Sequence, residues 1–209
     1  MISISYGITV KDELLEIQKL IPFLLEHKRE QDEIVVVYDS NKGRLSVEEY
    51  LRTQNVEKSK FRWYPFYFEG NFSDLKNELN SHCKGDYIVN IDADEIPHVN
   101  LMKNLPDLLE SNQGVDVIRV PRVNTVEGIT EEHIKKWGWS INEKGWINFP
   151  DTQMRIYRRD PNIKWMYKVH EVLTGYKTHG MLPLEEEYSF YHPKTIDRQE
   201  KQNNFYNSL

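Results

Sequence analysis

The chain has 209 residues, 39% hydrophobic, 12% aromatic and 29% charged, the size and balance of one globular domain. Lys and Arg number 27 against 33 Asp and Glu, a formal charge of −6 with no dense basic block, which argues against a nucleic-acid binder. No apolar stretch approaches the roughly 20 residues of a membrane helix, Met1–Ser5 carries no secretion signal, and the one cysteine, Cys83, has no internal partner, so the expected setting is cytoplasmic.

In chain order, Ile2, Ile4 and Tyr6 alternate with serines and open a short strand. Leu14, Ile17, Ile21 and Leu24 then recur at helical spacing, which predicts a helix from Lys11 to about His27, bent near Pro22. Ile34 to Tyr38 is a β-branched run ending in Tyr, the mark of a strand buried on both faces. Ser46 and Glu49 have the spacing of a capping box and predict the start of the next helix. Phe61 to Phe68 follows as a strand, placed near an edge by Pro65. A helix over about Ser73 to Cys83 and a fourth strand, Tyr87 to Ile91, complete the alternation.

This β-α-β-α-β-α-β order predicts a largely parallel sheet, in which ligands gather beyond the carboxyl ends of the strands. Beyond about residue 100 the pattern weakens. Val115–Val123, Gln153–Tyr157 and Lys164–Val169 read as strands and Thr130–Lys136 as a short helix. Glu127 to Pro150, with three tryptophans, reads as a structured loop, and the end from about Thr195 as a polar helix.

Two acidic signals fall at strand ends: Asp39 after the second strand, and Asp92-Ala93-Asp94-Glu95 after the fourth. Residues i and i+2 of an extended segment share a face, so Asp92 and Asp94 point the same way. Two such charges about 5 Å apart repel by roughly 3 kcal/mol at an effective dielectric near 20. A cation, a basic neighbour or a raised pKa must offset that, and a divalent ion is the most economical choice. Ala93, the chain's only alanine, leaves room for close approach. A calcium loop starting at Asp92 fails, since Pro97 and Lys103 stand where Gly and Glu are needed. Neither a Walker loop nor G-x-G-x-x-G is present. A phosphotransferase of the haloacid dehalogenase type would carry its D-x-D after the first strand rather than the fourth.

Lys76-Asn77, Gly85-Asp86-Tyr87-Ile88 and Asp92-Ala93-Asp94-Glu95 together resemble the core signature of family 2 glycosyltransferases. Thr9-Val10-Lys11-Asp12-Glu13 is similar to that family's Thr-x-Lys-Asn-Glu segment, Asp39-Ser40 to the start of its Asp-Ser-Gly-Ser segment, and Val169-His170-Glu171 to its His-Glu pair. The resemblance implies a GT-A (Rossmann-like) α/β fold, a mostly parallel sheet with helices on both faces and an irregular second half. It also implies a nucleotide-sugar donor and a divalent metal, Mn²⁺ or Mg²⁺. Thr9, Lys11, Glu13, Asp39, Lys76, Asp92 and Ala93 would line the nucleotide-sugar pocket, and Asp94 and His170 would hold the metal. Asn41-Lys42-Gly43 departs from the family's Gly-Ser stretch, which bears on donor choice. The Gln-x-x-Arg-Trp motif of processive synthases is absent, so a single transfer is expected.

The expected organisation is one domain over 1–209: a nucleotide-sugar half at 1–98, an acceptor and metal half at 99–193, and a C-terminal helix at 194–209. An inverting transfer needs a base for the acceptor hydroxyl. Glu127, Asp151 and Glu171 are candidates, with Asp151 favoured for its place after the tryptophan-rich loop. Trp137, Trp139 and Trp146 offer flat faces to a sugar. Lys194, Arg198 and Lys201 share one face of the last helix, where they could close over a diphosphate. The expectation is therefore a metal-dependent, inverting glycosyltransferase acting on a glycan or other hydroxyl acceptor. The alternative is a GT-A domain that binds nucleotide-sugar or glycan without turnover.

Overall fold

A computed structural model describes residues 1–54 and 60–206. Its first half is β1 (Ile4–Val10), α1 (Leu14–His27), β2 (Glu33–Asp39), α2 (Leu45–Thr53), β3 (Phe61–Phe66), α3 (Phe72–His82) and β4 (Tyr87–Asp92). β1 pairs in parallel with β2 and β4, and β2 with β3, giving the order β3-β2-β1-β4 with β3 at the edge. The helices are the crossovers that parallel neighbours require.

Every residue of β2 is buried, because its two faces serve two cores. Ile34, Val36 and Tyr38 join Ile17, Leu20, Val47 and Leu105 on one side; Val35 and Val37 join Leu75 and Leu79 on the other. Helices thus cover both faces, as the continuous apolar run implied.

The second half extends the sheet from β4. β7 (Ile147–Arg158) runs antiparallel to β4 and to β6 (Val117–Glu127), while β11 (Phe190–Thr195) lies parallel to β6 and pairs through its first two residues, antiparallel, with the short β5 (Ile96–Pro97). β10 (His179–Met181) also pairs with β6, and β8 (Lys164–Met166) with β9 (Val172–Thr174) forms a separate hairpin. Helices α4 (Val99–Ser111), α5 (Glu131–Trp137) and α6 (Ile196–Tyr206) complete the chain. The result is a mixed α/β fold with a mostly parallel central sheet.

Several expectations need correction. The Ser46/Glu49 capping box does not form: α2 begins at Leu45 after Arg44, with no side-chain cap. The box that does form is at α5, between Thr130 and His133. Helix α4 and strands β9, β10 and β11 were not read from the sequence. Lys194 lies on β11 and not on the last helix, so Lys194, Arg198 and Lys201 do not form one helical face. Residues 207–209 of the expected C-terminal helix lie outside the described residues.

Candidate active site

The carboxyl ends of β1, β2 and β4 meet in register, Thr9 standing opposite both Val37 and Asp92. Asp39 closes β2. Its buried Oδ1 accepts the backbone N–H groups of Asn41 and Lys42 at 2.9 and 3.1 Å, while its buried Oδ2 has no hydrogen-bond donor. The loop beyond it depends on Gly43, whose N–H donates to the Asp39 carbonyl at 2.9 Å; a Cβ there would sit 2.1 Å from that oxygen. The departure from a Gly-Ser stretch thus keeps a glycine where the chain must turn tightly. On the β1 side, the Glu13 carboxylate accepts the Lys11 and Asp12 N–H groups at 2.8 and 3.1 Å, and the Lys11 side chain is exposed.

Asp92 and Asp94 solve their mutual repulsion with separate sets of basic neighbours. Asp92 pairs with Arg155 and, at 3.8 Å, with Lys76. Lys76 lies 4.4 Å from the centre of the Trp165 ring and 2.6 Å from Glu171. Burial alone would raise the Asp92 carboxyl, but Arg155 and Lys76 outweigh it and hold it far below the usual carboxylate range. Asp94 faces His192 Nε2 at 3.2 Å, Arg198 at 3.3 Å and Lys194 at 4.0 Å. Burial opposes ionisation there too, yet the His192 hydrogen bond and the surrounding positive charge bring Asp94 down to about 2. Basic neighbours, one of the remedies expected, therefore stand at both positions. Arg198 also reaches Glu13 at 3.6 Å and pairs with Glu16, so α6 is tied across the start of α1.

Glu95, fully buried, knits the two halves together. It accepts from Arg155 at 2.6 Å, from Arg122 at 3.2 Å and from the Asp92 N–H at 3.1 Å. Arg122 continues to Asp151 Oδ2 through Nε and Nη2, at 2.9 and 2.6 Å. Asp151 also accepts from Asn124 at 2.9 Å and Gln153 at 2.7 Å. Its burial is outweighed by Arg122 and these donors, so its carboxyl also lies below the usual range. Asp151 borders a cleft of about 640 Å³, lined among others by Arg119, Trp139, Asn148, Gln153 and Lys194.

Of the sequence-derived site, the fold brings Thr9, Asp39, Lys76, Asp92 and Asp94 to one edge. Ala93 is buried in the main core cluster, so its small side chain answers to packing. The imidazole that meets Asp94 is that of His192. His170 sits in the β8–β9 turn with φ 55°, next in sequence to Glu171. Trp139 lines the cleft, while Trp146 is buried against Phe149. Among the described residues no three His, Cys, Asp or Glu side chains gather as a ligand set. The pair Asp94 and His192 does offer one hard oxygen and one imidazole nitrogen. Two protein donors with open remaining positions suit an ion that takes its other ligands from phosphates and water.

Sequence reasoning missed Arg122, Asn124, Arg155 and His192. A charged residue within an apolar strand, as Arg155 stands between Met154 and Ile156, signals a buried ion pair. His192 had no such signal, because β11 itself was not read.

A family model described as glycosyl transferase family 2 matches residues 5–178. No curated protein matches the sequence. Among solved structures, S. aureus TarS 1–349 in complex with UDP-GlcNAc aligns with a TM-score of 0.62 at 13% identity, covering 92% of this chain and 58% of that one. TarS 1–349 alone gives 0.59 at 14% identity, over 91% and 60%. The mannosyltransferase PcManGT from Pyrobaculum calidifontis, in complex with GDP-Man and Mn²⁺, gives 0.50 at 14% identity, over 74% and 44%. These likenesses show the fold, and the chain spans at most 60% of the length of these three.

Proposed function

The chain belongs to glycosyl transferase family 2, and from that premise we propose that it moves one sugar from a nucleotide-sugar donor to an acceptor hydroxyl with inversion. Its main support is the bare, buried Oδ2 of Asp39 at the carboxyl edge of the parallel strands. A buried carboxylate oxygen without a donor costs on the order of 1–3 kcal/mol or more, and a nucleobase N–H would satisfy it. Thr9 and Glu13 flank the same edge, and Asp92 lies opposite Thr9 for the ribose.

Asp94 and His192 are the residues proposed to hold a divalent ion, which when bound would neutralise charge growing on the leaving diphosphate. The resemblance implies His170 for that role; His192 is proposed because its Nε2 faces Asp94 at 3.2 Å. Lys194 and Arg198, 4.0 and 3.3 Å from Asp94, are placed to turn from that carboxylate to phosphate oxygens. The cleft beside Asp151 is proposed as the acceptor's, with Trp139 as a flat wall. Four donated hydrogen bonds make Asp151 a weak proton acceptor, so no proton-transfer step is assigned to it.

The test is a thermal-shift series with UDP-GlcNAc and GDP-mannose, each with and without Mn²⁺, on the wild type and on Asp94→Asn. A ligand that binds the native state raises the melting temperature. One donor should do so in a Mn²⁺-dependent way, and Asp94→Asn should abolish the dependence. A full Mn²⁺-dependent shift in Asp94→Asn would refute the assignment. Donor binding with neither transfer nor donor hydrolysis would favour the non-catalytic alternative.

A further inference from the structure

The cleft proposed for the acceptor is basic in a chain that is acidic as a whole. The chain carries a formal charge of −6, yet the Lys, Arg, Asp and Glu side chains lining the cleft are Arg119, Arg122 and Lys194 against the single carboxylate of Asp151. Two of these cations already have carboxylate neighbours. Arg122 donates to Glu95 at 3.2 Å and to Asp151 at 2.9 and 2.6 Å, and Lys194 lies 4.0 Å from Asp94. Arg119 makes no ion pair among the described residues. Its guanidinium bonds go to one neutral residue, Nε to Thr152 Oγ1 at 3.1 Å and Nη2 to the Thr152 carbonyl at 2.8 Å.

Those two bonds fix the plane of the guanidinium and use only one of its edges. The remaining N–H groups, on Nη1 and Nη2, lie side by side along the edge that a carboxylate or phosphate takes in a bidentate pair. The backbone sets this up. The β6–β7 register shifts between Ile118 and Arg119, an irregularity of the kind that re-aims a side chain. Arg119 stands opposite Met154 but bonds to Thr152, further along β7. It is half-buried, and a charge partly withdrawn from water among neutral groups is costly until a counter-ion joins it.

We propose that Arg119 receives an anionic group, phosphate or carboxylate, carried by the acceptor, which makes the acceptor an acidic or phosphorylated sugar or polyol and not a neutral one. This deepens the reading of the cleft as the acceptor's and rests on it. Thr152, which holds the guanidinium, stands opposite Pro121. Asn124, the strand partner of His192, lies about 10 Å further along β6, at roughly 3.3 Å per residue. The anion is thus set back from Asp94, so Arg119 determines which acceptor is held and takes no part in the transfer itself.

The probes are glycerol 3-phosphate and glucuronate, with glycerol and glucose as uncharged counterparts, titrated into the full chain labelled with ¹⁵N-arginine. The Nε–Hε signal of Arg119, identified by its absence from Arg119→Gln, reports binding at this residue without reference to turnover. At least one anionic probe should move that signal to saturation and bind about 10- to 100-fold more tightly than its uncharged counterpart. Arg119→Gln should lose that difference. Binding of the phosphate probe alone points to a phosphorylated acceptor, and of glucuronate alone to a uronate-bearing one. If neither moves the Arg119 signal more than glycerol or glucose does, the wild type overturns the proposal with no variant needed. It is overturned too if Arg119→Gln binds the probes as the wild type does, or if bound UDP-GlcNAc or GDP-mannose displaces them, because the anion would then belong to the donor. An anionic probe bound at Arg119 in a chain that takes no nucleotide-sugar would uphold the anion site and refute the transfer reading instead.

Discussion

Replacing Arg155 by Met removes the cation at the centre of the buried network. Arg155 is 4% exposed and Glu95 is fully buried. Its guanidinium bonds Asp92, Glu95 at 2.6 Å and Asn90 at 3.3 Å. Without it, Glu95 retains Arg122 at 3.2 Å and Asp92 retains Lys76 at 3.8 Å. Removing one member of a buried pair costs about 3–5 kcal/mol, a large part of a total near 5–15 kcal/mol. At about 2–4 °C per kcal/mol for a domain of this size, the melting temperature should fall by roughly 6–20 °C.

The pH dependence of that deficit identifies its cause. In Arg155→Met, burial of Asp92 without its main counter-charge raises that carboxyl in the folded state. The folded state then binds a proton more tightly than the unfolded chain, so the deficit shrinks as pH falls through the raised value. Adding Glu95→Gln removes the other stranded charge and should recover about half of the loss. Urea unfolding followed by circular dichroism between about pH 5 and pH 8 measures both effects. A deficit below about 1 kcal/mol that is flat across this range would refute the reasoning, since such a value belongs to an exposed pair.

In the wild type, the depressed carboxyls of Asp92, Asp94 and Asp151 contribute stability that is present above the unfolded value near 4 and lost as pH falls toward the folded value, about 2 for Asp94. Acid titration should therefore show a steep loss of stability below about pH 4, and a stability maximum near pH 3 would contradict it. Cys83 is buried, and burial pushes its thiol up to about 12. Ellman's reagent should therefore leave it untouched at about pH 8 until the chain unfolds, and rapid full labelling of the native protein would contradict this. Gly175 has φ 82°, and a Cβ there would lie 1.9 Å from the Asn162 carbonyl oxygen. Gly175→Ala should cost about 2–4 kcal/mol in urea unfolding, and a neutral result would show that the turn can open without penalty.

The parallel half was legible because its apolar runs have a single structural solution. Ile34 to Tyr38 cannot expose either face, and Asp39 and Asp92 close their strands at the carboxyl edge of the sheet. The second half is harder because its strands carry polar residues into the interior. Arg155 and His192 read as surface residues until Asp92, Glu95 and Asp94 arrive from strand ends distant in sequence. In α4, Leu101, Leu105 and Leu109 do keep a helical spacing, but Pro106 and the surrounding Asn, Lys and Asp residues interrupt the pattern. Lys194 reads as helical, although it lies on β11, for a related reason. The β11 sequence Phe190-Tyr191-His192-Pro193-Lys194-Thr195 has no apolar alternation beyond its first residues, and its strand state comes from pairing with β6. Basic residues at helical intervals there are an accident of the chain crossing from strand to helix.

β7 carries both Asp151, at the cleft, and Arg155, on Asp92. Its register against β6 shifts by one residue between Met154 and Ile156, at Arg155, and an irregularity of this kind re-aims the residue it holds; the two positions stand about 13 Å apart along the strand, at roughly 3.3 Å per residue. The strand therefore sets the distance between the cleft and the buried Asp92 ion pair. A one-residue slip would turn both residues away together, so its length admits no gradual adjustment. The segment before it, residues 128–146, carries α5 and Trp139. Changes in that segment would reshape the wall of the cleft that Trp139 forms while leaving Asp151 and Arg155 on one strand.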